Sequence, residues 1–185
     1  MKIKEFKLIS KEKNGIFPQL ECITEHEVVY DDVYLNFYHD NYELEYMFFG
    51  DTLKLQNNYV EYYYIMSYDE ANNLIGFIQI SSGGRNQTAT PFDTIFTFLL
   101  LTGSKSFITI HNHPNNNSEK SCEDILTDNS IESLSNMLNI KYKNGLIITK
   151  EIMDNLHKKI YSFMKEALKE EIDISYEEWI DMEEQ

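Results

Sequence analysis

His111-Asn112-His113-Pro114, followed across the polar loop 115–120 by Ser121-Cys122-Glu123-Asp124, is the stretch on which the reading of this chain turns. It comes directly after an apolar, β-rich run, Phe107-Ile108-Thr109-Ile110. Side chains alternate across a strand, so His111 and His113 leave the same face and can bring two imidazoles to one ion. A third ligand has to come from elsewhere. The loop can turn the chain back, and Ser121-x-x-Asp124 reads as a helix start that fixes a carboxylate. Two neutral imidazoles, one carboxylate and a water make an open tetrahedral site, which suits catalytic Zn²⁺ better than a closed structural one.

Plainer readings compete for each piece. Taken alone, Ser121-x-x-Asp124 is most often a helix N-cap with an acidic residue favoured by the helix dipole, and that role is expected here too. A lone His-x-His on an apolar strand is more often structural than metal-binding. The combination is harder to dismiss. The letters His-Asn-His do not make a nuclease of the HNH type, whose motif is dispersed over a longer hairpin and helix. A zinc deaminase needs His-x-Glu and a later Pro-Cys-x-x-Cys, whereas this chain has only Cys22 and Cys122. A His-Glu-x-x-His helix is also absent from the sequence.

The residues resemble the JAB/MPN metalloproteases, whose signature is His-x-His-Pro, six residues, then Ser-x-x-Asp. The His-Asn-His-Pro version looks most like the RadC-like branch, in which a glutamate opens an upstream strand reading Glu-x-Phe-x-x-x-x-x-Asp. Here Glu61-Tyr62-Tyr63-Tyr64-Ile65-Met66-Ser67-Tyr68-Asp69 lines up with it. The resemblance runs from about Val60 to Ile148. It implies zinc ligands at His111, His113 and Asp124, a general base at Glu61 that holds the reacting water, and an oxyanion-stabilising serine at Ser121. It further implies hydrolysis of a peptide or isopeptide bond, with a peptide or protein conjugate as substrate. Zinc lowers the pKa of its water toward about 7 and a nearby carboxylate can take the proton, so the division of labour is chemically coherent.

Composition bounds the alternatives. The chain has 185 residues, 42% hydrophobic and 14% aromatic, enough for one well-buried domain. A formal net charge of −15 argues against a polyanionic partner, because phosphate binding needs clustered Lys and Arg. That weighs against the DNA-processing role attached to the RadC-like branch, and 185 residues leave little room for the helix-hairpin-helix segment of its longer members. The cysteines are too few and too far apart for a disulfide framework, and Cys122 receives no role. No apolar run approaches the ~20 residues of a membrane span, nor the core of a signal peptide, so a soluble cytoplasmic protein is expected.

The remaining sequence predicts an ordered series of elements. Phe6–Ile9 alternates as a strand, and Lys11–Gly15 reads as a polar turn. The stretch 31–49 fits neither period cleanly, and a helix is expected there. Val60–Tyr68 and Leu74–Ile80 read as a hairpin across Asp69–Asn73. After the loop Ser81–Asn86, Thr90 as N-cap and Pro91 at the first turn predict a helix with Phe92, Ile95, Phe96, Leu99 and Leu100 inward, ended by Gly103. Phe107, Thr109 and His111 share one face of the next strand and Ile108 and Ile110 the other, as in a strand covered on both sides. The helix from Ser121 to about Leu138 is expected to face inward with Ile125, Leu134 and Leu138. Gly145–Ile148 is a final strand, followed by a helix carrying Ile152, Leu156, Ile160 and Phe163. His26, His39 and His157 lack partners at metal spacing and read as structural or surface residues. The three asparagines Asn115–Asn117 depart from the Ser/Gly/Pro loops of RadC-like relatives, though Asn tolerates positive φ well enough to make the turn.

The expected fold is a single α/β domain of mixed α+β character, a JAB/MPN-like curved mixed sheet packed with helices. Residues 1–58 are read as an N-terminal extension packed on the core, 59–150 as the metal-binding core, and 151–185 as a C-terminal helix and acidic tail. The tail, with Glu170, Glu177, Glu178 and Trp179, reads mainly as a solvated face. The rival functional reading is a binding or scaffold protein that uses its acidic surface on a basic partner or as a nucleic-acid mimic.

Overall fold

Tyr and Ile dominate Tyr62–Tyr68 (β3) and Leu74–Ser82 (β4), residue types that fit a pleated, half-buried surface, and the two strands pair antiparallel. The turn between them is closed by Asp69, whose carboxylate accepts the Asn73 backbone N–H at 2.8 Å and its side-chain amide at 2.9 Å. In this computed structural model the described residues are 1–9, 18–28, 42–83, 91–167 and 175–177. The expected turn at Lys11–Gly15, His39, Thr90, most of the loop Ser81–Asn86, and most of the acidic tail, Trp179 included, lie outside them.

Around that hairpin the sheet grows to six strands, which run across it as Gln19–Glu27 (β2), Lys2–Ile9 (β1), β4, β3, Ser106–Asn112 (β5) and Lys141–Ile148 (β6). Lys2–Ile9 (β1) and Gln19–Glu27 (β2) form an antiparallel pair, and β1 runs parallel to β4. Gly76 permits that approach: at φ +154° its notional Cβ would stand 2.5 Å from the Lys4 carbonyl oxygen. Strands of the first 58 residues therefore belong to the same sheet as the rest. On the other side Ser106–Asn112 (β5) pairs antiparallel with β3, and Lys141–Ile148 (β6) runs parallel to β5. The sheet is mixed, as expected.

Helices cover both faces. Ile108, Ile110, Leu146 and Ile148 pack with Met47, Phe48, Phe49, Met153, Leu156 and Ile160, which come from Glu43–Met47 (α1), the wider helical turn Phe48–Thr52, and Lys150–Ala167 (α4). Phe107 and Ile65 turn the other way, onto Ile95, Phe98 and Leu99 of Phe92–Leu101 (α2) and Ile131 of Cys122–Met137 (α3). All seven residues of β5 are buried, which is why that strand reads as apolar on both faces. No helix among the described residues is long and apolar enough to cross a membrane.

Of the helix anticipated over 31–49, residues 31–41 lie outside the described ones, and 43–49 are helical, in α1 and the turn that follows it. Several other local expectations are corrected. Pro91 precedes α2 as its cap position, without a side-chain cap bond, instead of opening the first turn. Phe98 takes the inward place given to Leu100, which is 59% exposed. In α3 the difference is larger: Ile125, Leu134 and Leu138 are exposed, and the buried positions are Ile131 and Ser135. In α4 it is Met153, with Leu156 and Ile160, that is buried.

Candidate metal centre

Strand β5 delivers His111 and His113 at its C-terminal end, on the face that α3 covers, and α3 delivers Asp124 from its first turn. His111 is 3% exposed, and its ring stacks on Tyr63, the cross-strand partner in β3, with centroids 5.6 Å apart and planes 18° apart. The two Nε2 atoms of His111 and His113 are 3.0 Å apart. Asp124 closes the triangle, with Oδ1 3.3 Å from His111 Nε2 and Oδ2 3.3 Å from His113 Nε2.

Each candidate ligand is aimed by a neighbour. His113 Nδ1–H donates to the Asn117 carbonyl at 2.7 Å, which turns Nε2 toward the triangle. Asp124 is held by the capping box: Ser121 N–H and Ser121 Oγ–H both donate to Oδ2 at 2.7 Å, and the Asp124 backbone N–H donates to Ser121 Oγ at 3.1 Å. The asparagine run shapes the loop between the ligands. Asn116 adopts φ 61°, as expected of an asparagine in a turn, and its side-chain oxygen accepts from Lys150 N–H at 2.8 Å at the start of α4. Asn115 and Asn117 side chains accept backbone N–H groups two residues on, at 3.1 Å each.

Electrostatics agree with the geometry. Burial pushes the Asp124 carboxyl up, but hydrogen bonds from His111, His113 and Ser121 outweigh it and hold the group far below the usual carboxylate range. The Asp124 hydrogen bond raises the His113 imidazole above its ordinary value against the effect of burial, and the Glu61 charge adds to the rise. Glu61 stands exposed immediately before β3, outside the triad of ligand atoms.

The residues fit a metal. Candidate donor atoms of His111, His113 and Asp124 lie within 4.8 Å of one another. Their 3.0–3.3 Å separations match the ~3.3 Å edge of a tetrahedral shell with ~2.0–2.1 Å metal–ligand distances. Three polar groups that can share few protons would otherwise crowd without reward. His111 Nδ1 is also buried without a hydrogen-bond partner among the described residues. Exposure rises outward, from 4% of the His111 side chain to 11% for His113 and 15% for Asp124, so the triad is closed below and open above.

Sequence reasoning passed over Asn112, Asn117 and Tyr63. The strand alternation that paired the histidines also places Tyr63 on the Glu61 face of β3, so its ring was findable once β3 and β5 were set side by side. Asn117 acts through its backbone carbonyl, which residue type does not signal, and Asn112 through bonds that no local spacing announces.

The model of the RadC-like JAB domain matches residues 41–168. A UPF0758 protein of Coprothermobacter proteolyticus is 27% identical over 96 residues, 52% of this chain and 41% of that protein. One from Flavobacterium johnsoniae is 28% identical over 108 residues, 58% of this chain and 44% of its own length. A third, from Geotalea uraniireducens, is 28% identical over 88 residues, 48% of this chain and 39% of the relative. The chain thus spans between 39% and 44% of the length of these curated relatives. A signature-bearing strand and helix, a mixed sheet covered on both faces, and a domain match over most of the chain lead to one conclusion: the protein belongs to the RadC-like JAB domain family.

Proposed function

We propose that the chain is a zinc-dependent hydrolase that cleaves a peptide or isopeptide bond with a metal-activated water, in a peptide or protein conjugate. The observation that carries this reading is the triangle of His111, His113 and Asp124 donor atoms, 3.0–3.3 Å on a side and open to solvent above. When bound there, zinc supplies Lewis acidity and a water acidic enough to ionise near neutral pH.

The chain's own groups do the rest. Glu61 carries an exposed carboxylate whose charge reaches His113, which suits a base that takes a proton from the attacking water and returns it to the leaving amine. His113 keeps its Nδ1 proton on Asn117, so its other nitrogen stays a ligand and not a proton donor. Ser121 is expected to stabilise an oxyanion, and to do so its hydroxyl has to leave the Asp124 carboxylate it now donates to. The outward opening suits a macromolecular substrate that brings an extended segment across the strand ends.

Elemental analysis of the wild type beside a His111→Ala/His113→Ala variant is the first test, with one zinc per chain expected in the former and none in the latter. Fluorogenic peptide and isopeptide substrates then read turnover. Glu61→Gln should keep the zinc and lose about 100-fold or more in turnover, within the range of general-base removal. No zinc in either protein after zinc is supplied, or undiminished turnover in Glu61→Gln, overturns the assignment and leaves the scaffold reading in its place.

A further inference from the structure

Asn112 lies between the two histidines, yet its side chain takes no part in the triad. It is 1% exposed. Its amide oxygen accepts the Tyr62 backbone N–H at 2.8 Å, and its amide NH₂ donates to the Val60 carbonyl at 3.0 Å. Those two backbone groups flank Glu61. The ladder between β3 and β5 ends at the pair Tyr63–His111, so the Asn112 amide adds one more rung where the strands stop. A primary amide can do this because it carries the same donor and acceptor as a peptide group. From the opposite side Gly83 N–H donates to the Glu61 carbonyl, and a Cβ at Gly83 would stand 3.1 Å from that oxygen. The backbone around Glu61 is therefore held at three successive residues, while its carboxylate has no hydrogen-bond partner among the described residues.

We propose that Asn112 is a positioning residue for Glu61, fixing where that carboxylate stands relative to the ligands His111 and His113. The inference rests on the reading of Glu61 as the base. One residue of β5 thereby ties the base to the same strand that carries two ligands, and a displacement of the strand end carries all three together. The side-chain requirement is narrow. Leucine matches the shape and offers no bond; aspartate keeps the acceptor for Tyr62 but sets a carboxylate oxygen against the Val60 carbonyl. A base misplaced by about 1 Å costs on the order of 100-fold in rate.

The test uses cobalt(II) as the bound metal and protein labelled with ¹³C in its glutamate carboxyls. The Glu61 signal is the one that disappears in Glu61→Gln, and its paramagnetic shift reports where the carboxylate stands. In Asn112→Leu the metal content should remain one per chain while that shift falls by more than half; Asn112→Asp should fall between. Ile131→Val, a core change on the face of the sheet that carries Tyr63, controls for general loosening and should leave the shift in place. If Asn112→Leu does not fold, as judged by far-ultraviolet circular dichroism, Asn112→Asp and Asn112→Ser read the same signal. An unchanged shift in the folded variants overturns the proposal, and so does loss of the metal, which would make Asn112 a support of the histidines. Where turnover is measurable, Asn112→Leu should lower kcat about 100-fold with KM unchanged, and should lower it no further in a Glu61→Gln background. The shift is read without substrate, so failure to cleave any amide would refute the chemistry assigned to Glu61 and leave its positioning decided by the spectrum.

Discussion

Helices α3 and α4 flank β6 in sequence and cover opposite faces of the sheet, and they are attached by different means. Helix α4 buries Met153, Leu156 and Ile160 in an apolar stripe against Ile148 and Phe48. Helix α3 buries only Ile131 and Ser135, while its first turns are held by polar bonds: Asp124 faces the imidazoles, and Asp128 accepts from Lys120 Nζ and from Tyr142 Oη, each at 2.6 Å. Its other large apolar side chains point out, with Leu126 66% and Met137 81% exposed. One helix is placed by hydrophobic burial; the other gives its inner face to a candidate ligand and its polar supports. Sites built this way trade packing area for geometry.

Mutations should separate the two. Asp124→Ala removes a ligand and is the largest effect expected: zinc affinity should fall by well over the ~100-fold typical of losing a supporting residue, while unfolding free energy drops by about 1 kcal/mol for the capping box. Isothermal titration and denaturant melts of the metal-free protein read the two quantities. Leu156→Ala should do the converse, costing about 2–5 kcal/mol of stability and leaving one zinc per chain. A zinc loss in Leu156→Ala with the fold intact would mean that the two faces are coupled. Ser121→Ala is the smaller test on the α3 side. Because its hydroxyl both caps the helix and donates to Asp124, the variant should lose about 1 kcal/mol of stability and about 10–100-fold in zinc affinity. Unaltered zinc affinity would leave the serine's cap as its whole structural role and return it to the oxyanion.

The same contrast explains what could be read in advance. Strand β5 was legible because alternation is local, and so was the Ser121-x-x-Asp124 box, whose members sit one turn apart. The stripe of α4 was legible apart from a shift of one position, from Ile152 to Met153. Helix α3 was misread because the search for its inner face followed apolar residues, whereas Asp124 and Asp128 turn toward the sheet and leave Ile125, Leu134 and Leu138 outside. Asn112 escaped notice for another reason. Its partners Val60 and Tyr62 are 52 and 50 residues away, and only the pairing of β3 with β5 brings them to it. Contacts of that reach are fixed by topology, which spacing within one segment does not encode.

The smallest expected effect lies on the α4 side, where polar contacts supplement the apolar stripe, among them Lys159 with Glu43 and His157 with Asp51. His157 Nε2 meets Asp51 Oδ1 at 3.0 Å and Oδ2 at 3.1 Å, linking α4 to the helical turn Phe48–Thr52. Burial lowers the imidazole's pKa, but the Asp51 hydrogen bond and the charges of Asp51 and Asp154 outweigh that, against a smaller opposing effect of Lys54, and the net shift is upward. A raised folded-state pKa means that the pair's stabilisation is fully present below the unfolded value of about 6.5 and is lost as pH rises through the folded value. The contribution should be on the order of 1 kcal/mol for a partly buried charge-assisted bond. Denaturant melts at pH 6 and pH 8.5 should therefore show a loss in the wild type that Asp51→Asn reduces, the variant difference cancelling the titration of groups both proteins share. An identical pH slope in the two would mean that the pair contributes nothing net, which would sharpen the contrast between the apolar stripe of α4, Met153, Leu156 and Ile160, and the polar attachment of α3.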